Sequence, residues 1–286
     1  MDQALLDTAR YKISMLSLDS RFADKYYDGT ADYQIRLSST AKNIMRIALS
    51  SIEIPNVEWV FSAKHGNINF SWRLTTSSAW TDETIPAGNY TFDSLADAIQ
   101  DALGTNFTVT VSPTTSLMTI THTLGTDFVF RGASSESRIA ERRNYWGLGY
   151  YMGFRTQEVT SVGGVMTGTS LVLVQSAPYY LIQLEIPKPV EPLTHRLMES
   201  GWIGAFAKVV LRDGYYTISF DDGGNMLRKE NTFLAPVNIQ AFRVRVVDPF
   251  GDTVNLLDMD WSLTLELYEV VNSRVYSAIS ETYGRN

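Results

Sequence analysis

Three histidines, His65, His122 and His195, are the chain's only imidazoles, and they fall in three separate segments. A lone His in a turn or strand more often serves structure than ligation or proton transfer. Cysteine is absent, which removes thiolate nucleophiles, thiolate zinc sites and disulfides together. Asp258 and Asp260 in Asp-Met-Asp point the same way along an extended segment, and hard oxygen ligands suit Mg²⁺ or Ca²⁺. No third acidic residue lies nearby in sequence, so a solvated strand or turn edge is the better expectation. Asp221-Asp222 in FDDGGN reads likewise as a hairpin tip. The chain has no Gly-rich phosphate loop with its Lys, no His-Glu-x-x-His, no nucleophile elbow and no dinucleotide fingerprint. The expectation is a protein that is not an enzyme, with no cofactor and no metal.

A second group carries recognition chemistry. Arg138, Arg142 and Arg143 precede Tyr145, Trp146, Tyr150, Tyr151 and Phe154. Arginines interleaved with aromatics can grip single-stranded nucleic acid by charge and stacking. Tyr, Trp and Arg are also the residues that anchor protein interfaces. The whole chain decides between these: 24 Lys and Arg against 31 Asp and Glu give a net charge of −7, the wrong sign for neutralising phosphates. These eight residues are therefore expected at a protein interface or in core packing, with no direct contact to nucleic acid.

The elements that must position them read almost entirely as strands over 286 residues. Residues 1–30 have apolar positions without a sustained period and close on Asp28-Gly29, which reads as an N-terminal arm. Tyr33, Ile35 and Leu37, then Ile44, Ile47 and Leu49, predict two strands ended by Pro55. VEWVFSA and NINFSWRL flank a turn at Lys64-His65-Gly66-Asn67 and predict a hairpin. One helix interrupts the pattern. Leu95, Ile99 and Leu103 recur every four residues, Thr91 or Asp93 can cap its start, and Gly104 stands where a glycine would stop it. A helix this short is marginal alone, so its aliphatic face must dock. The strands of NFTVTVSPTTSLMTITHT follow directly and offer the surface.

We take this strand-helix-hairpin element as an insertion at about 81–154 in a domain of residues 31–286. After residue 170 the strands resume, with turn signals at Asp213-Gly214 and around Asp248-Pro249-Phe250-Gly251. Eight or more strands without β-α-β alternation make an all-β antiparallel sandwich or barrel. No apolar run approaches the roughly 20 residues of a membrane-spanning helix, and the N-terminus lacks the layout of a signal peptide.

Several segments, in order, resemble a known family: the single jelly-roll minor capsid proteins, penton-type and cement-type, of nucleocytoplasmic large DNA viruses and their relatives. The stretch DSRFADKYYDGTADYQIRLSSTAKNIMRIALSSIEIPN is similar to the family's arm and first two strands. IPAGNYTFDSLADAIQDAL with FTVTVSPTTSLMTI resembles its strand-helix-hairpin element, NYWGLGYYMGF its Leu-Gly-aromatic segment, and VVDPFGDTVNLLDMDWSLTLELYEV its closing strands. The resemblance covers most of residues 19–271 by pattern. It implies a single jelly-roll β-sandwich, and a structural role in the virion's capsid shell, assembled in the host cell interior. Its partners would be the major capsid protein and other minor capsid proteins, with a homo-oligomer, a pentamer if the chain sits at a vertex. The competing reading is a carbohydrate- or receptor-binding β-sandwich of tail, fibre or spike type, because exposed Trp and Tyr also stack on sugars.

Overall fold

The computed structural model describes residues 11–132, 147–175, 177–186, 205–212, 214–221 and 230–271. The chain divides into two compact units, one of Met1–Glu58 with Ala177–Asn286 and one of Trp59–Ser176. The first unit opens with β1 (Tyr11–Asp19), β2 (Lys25–Tyr26) and β3 (Asp32–Asn56). The second unit holds β4 (Asn69–Leu74), β5 (Thr81–Thr84), α1 (Phe92–Leu103), β6 (Phe107–Val111), β7 (Met118–His122), β8 (Phe128–Arg131), α2 (Gly147–Tyr151), β9 (Glu158–Thr160) and β10 (Val165–Thr167). The chain then returns to the first unit with β11 (Tyr179–Glu185), β12 (Ala207–Val210), β13 (Thr217–Asp221), β14 (Glu230–Val247) and β15 (Ser262–Val270). Every pairing between these strands is antiparallel. The all-β antiparallel class expected from the sequence is the class the structure has.

The first unit is one sheet in the order β1-β15-β3-β14-β11-β12, with β13 and β2 also paired to β3. Its inner side is a single hydrophobic cluster to which β1, β3, β11, β12, β14 and β15 all contribute, from Leu18 and Ile52 to Val209, Phe242 and Leu265. Where the alternation predicts two strands, β3 is one strand of 25 residues. Asn43 sits at positive φ and its N–H donates to Asn238 Oδ1 at 3.0 Å, and the pairing with β14 shifts register three times between Thr232 and Ala241. Such bulges change which face the side chains reach without ending the strand, so the break in period at Ala41-Lys42-Asn43 looks like a turn in sequence.

The expected arm is corrected in the same way, since from Tyr11 it is β1, paired with β15 over all nine residues. Its apolar residues fall in both phases, Leu16 and Leu18 against the core and Ile13 and Met15 exposed, which hides the period of two. Ser20 and Trp261 fasten its end: the Ser20 N–H donates to the Trp261 carbonyl at 3.0 Å and the Trp261 N–H to Ser20 Oγ at 3.1 Å. The indole Nε1 donates to the Thr30 carbonyl at 2.7 Å.

Two phenols test how dry this core is. Tyr33 and Tyr180 are fully buried, and burial pushes both hydroxyls far above the ordinary tyrosine range. A raised folded-state pKa in an acid means the folded chain holds the neutral form. The stability this represents is complete below the unfolded pKa of about 10 and falls as pH rises beyond it. Tyrosinate absorbance followed against pH should show two phenols ionising only as circular dichroism reports unfolding. Ionisation of all 15 tyrosines with the fold intact would contradict this.

The second unit has two small sheets, β5-β4-β8-β9 and β10-β7-β6. The ring of Phe107 on β6 joins them, with its centroid 4.8 Å from that of Trp72 on β4 and 5.1 Å from that of Phe128 on β8. The unit is wider than the stretch set off by sequence pattern, because β4 lies between β5 and β8 and cannot be separated from them. The expected hairpin before β4 does not form. Asn67 takes the place of a strand partner, its Oδ1 accepting from Ser62 N–H at 2.9 Å and its Nδ2 donating to the Val60 carbonyl at 2.7 Å.

Helix α1 follows its sequence signals closely. The Thr91 hydroxyl accepts from Ser94 N–H at 3.2 Å while Ser94 Oγ accepts from Thr91 N–H at 2.9 Å, a reciprocal cap. Leu95, Ile99 and Leu103 are buried, and Gln100 Oε1 accepts the Val109 N–H at 3.0 Å, fastening the helix to β6. Ile99→Asp should cost about 3 kcal/mol or more, because it leaves an unpaired charge in that docking face. A denaturant midpoint unchanged from wild type would show the face is not buried.

Candidate interface residues

Of the eight expected interface residues, Arg138, Arg142, Arg143, Tyr145 and Trp146 lie outside the described residues. Tyr150 and Tyr151 are in α2 and Phe154 follows it. Helix α2 can cross the end of β8 only because two glycines meet there: Gly149 N–H donates to the Gly132 carbonyl at 3.3 Å. A Cβ on Gly132 would fall 2.3 Å from Gly149 Cα. The Tyr151 ring then packs on Phe61 with centroids 5.2 Å apart. Tyr150 is half-buried, with the Arg155 guanidinium 4.0 Å over its ring. Phe154 is buried against Phe130, which stacks on Phe70. Packing within the chain thus uses Phe154 outright, and α2 leaves Tyr150 and Tyr151 part-exposed.

The remaining candidates that fall among the described residues have structural surroundings. His122 is buried, its Nδ1 accepting from Thr126 N–H at 3.2 Å. His65 Nδ1 lies 3.3 Å from the Val60 carbonyl. His195 lies outside the described residues, as does Asp222. Asp260 accepts from the Ser20 hydroxyl at 2.9 Å, and Asp258 sits in a turn at positive φ. Among the described residues no group of three or more His, Asp or Glu is placed to share a metal ion. Trp80, the natural platform for a sugar, has the Arg131 and Arg73 guanidiniums over its ring at 4.1 and 5.0 Å.

The buried charge belongs to the fold as well. Asp32 accepts from Arg243 Nε and Nη2 at 2.8 and 2.7 Å. Arg245 Nε pairs with the same carboxylate at 3.2 Å, off the line of a hydrogen bond, while its terminal nitrogens donate to Gln183 Oε1 and Thr253 Oγ1. Hydrogen bonding to Asp32 raises the Arg243 guanidinium above its ordinary pKa.

What sequence pattern misses is an exposed apolar row. Tyr216, Ile218 and Phe220 are 69%, 62% and 62% exposed, while Ser219 between them is buried. The period of two in the strand TISFD shows that Ile218 and Phe220 share a face, but not which face is covered, and Tyr216 precedes the strand in a turn at positive φ.

No family model matches the chain, and no curated protein matches it in sequence. Among solved structures, the crystal structure of the mavirus penton protein, with selenomethionine labelling, superposes with a TM-score of 0.48 at 14% identity, covering 91% of this chain and 100% of that one.

The Gly132–Gly149 crossing holds α2 in place. Gly132→Ala should lower stability by about 1–3 kcal/mol, the usual cost of overpacking, whereas Gly214→Ala, where a Cβ would meet nothing within 4 Å, should be near neutral. Equal melting of the two variants would mean the crossing carries no constraint.

Proposed function

We propose that the chain is a structural minor capsid protein of a large icosahedral double-stranded DNA virus, joining or closing the shell through contacts with the major and other minor capsid proteins. The observation that carries this reading is the Ile218–Phe220 pair on one face of β13, with Tyr216 exposed in the turn before it, because adjoining exposed apolar side chains mark a protein contact. The ordered segments that resemble the capsid family supply the kind of partner, and the acidic net charge favours a protein partner over a nucleic acid. The described polar clusters serve the fold, so function falls to surfaces. The sugar-binding alternative has less support, since two guanidiniums already lie over the Trp80 ring.

Quantitative mass spectrometry on purified particles should find the chain at a low, fixed ratio to the major capsid protein, the ratio separating a vertex position from one on every facet. Ile218→Ser with Phe220→Ser, which sets no charge opposite Glu53, should leave the melting temperature nearly unchanged and cut incorporation several-fold. Absence of the chain from particles would overturn the proposal.

A further inference from the structure

Sheet edges are where a β-protein invites or refuses another strand, and natural chains guard them by shortness, charge or cover. Among the described residues most edges here are guarded. Strand β12 has four residues and carries Lys208, β5 reads Thr-Asp-Glu-Thr, and β9 and β10 have three residues each. Strand β6 is covered by α1 through Gln100, and the five residues of β13 end on Asp221.

The open stretch of β14 ahead of its pairing with β11 is interrupted by Pro236, whereas β1 is nine residues with no proline, pairing with β15 along one edge and with no described strand along the other. Its one lysine, Lys12, pairs with Glu269 of β15 at 3.7 Å rather than standing guard. Beside this open edge Ile13 and Met15 are 56% and 70% exposed.

We propose that β1 pairs with β1 of a second copy of this chain, antiparallel about Ser14, extending one sheet through both copies. That register sets Ile13 opposite Met15 of the second copy twice, Tyr11 opposite Ser17 and Lys12 opposite Leu16. Each exposed aliphatic meets another, as cross-strand pairing favours, and no like charges face each other. Centring on Met15 would set Ile13 against Ser17, and centring on Lys12 would oppose two ammonium groups. The contact is isologous and closes at two copies. Its seven residues per strand are well short of a standard interface, so the dimer is weak and concentration-dependent. The inference stands apart from the capsid proposal, since it concerns the purified chain alone.

The absence of cysteine makes the test direct on the full chain. Ser14→Cys places one thiol opposite its symmetry mate, and mild oxidation should give a disulfide-linked dimer. Ser17→Cys, which faces Tyr11 in this register, should stay uncrosslinked. Sedimentation of the wild type should show dimer growing with concentration. Met15→Lys, a change at an exposed position that circular dichroism should find folded, should remain monomeric. A wild type that is monomeric throughout, or equal crosslinking of the two cysteine variants, would overturn the proposal. So would a dimer that survives Met15→Lys.

Discussion

The first unit depends on β3, because that strand meets β2, β13, β14 and β15 along its two edges. A straight strand of 25 residues would reach roughly 80 Å at about 3.3 Å per residue, far beyond the size of a compact domain. It has to bend, and bulges are how a strand bends without losing its ladder. The shifts against β14 and the two against β15, at Thr264/Leu265 and Tyr268/Glu269, are therefore the condition for enclosing a core. They also let Tyr33, Ile47 and Ile54 all reach the same cluster, although no single alternation links them.

A bend in a sheet leaves its register open to slippage, and Asp32 closes that freedom. The carboxylate is buried at the start of β3 and meets Arg243 and Arg245 on β14, the latter being its direct cross-strand partner. Desolvating three charges offsets most of what their attraction gains. What the cluster adds is a penalty for misalignment: a shift of β14 by one residue would carry both guanidiniums to the opposite face and leave the carboxylate buried without a partner.

The parts of the fold legible in the sequence are those whose signals are local. Helix α1 was readable from Leu95, Ile99 and Leu103 and from its caps, because each signal lies within one or two turns. The bulged strand was not, since a register shift at Asn43 and a true turn break alternation alike, and only the partner strand distinguishes them. Strand β1 failed for a related reason: Ile13 and Met15 share the strand with Leu16 and Leu18 in the opposite phase, so both faces look apolar. In the candidate interface, residue type groups Phe154 with Tyr150 and Tyr151, but Phe154 is buried against Phe130, which stacks on Phe70, both far from it in sequence, while the two tyrosines stay part-exposed. The apolar row on β13 went unread because nothing local tells an exposed phase from a covered one.

The register of the first unit relates its two unexplained apolar patches. Phe220 lies opposite Glu53, Glu53 opposite Ser262, and Ser262 opposite Asp19, so these four side chains share one face. Strand β1 pairs without a bulge, which sets Met15 and Ile13 on that face too. Between the patches runs a polar row in which Glu53 accepts from the Ser262 and Ser51 hydroxyls at 2.7 and 3.1 Å. That row has its own hydrogen bonds and little to gain from dehydration, so the face offers two separate apolar contacts rather than one continuous patch. A subunit that meets its own copy at one place and a different neighbour at another needs this separation. An isologous edge contact at β1 uses itself up in a pair, and the β13 row remains for a partner of another kind.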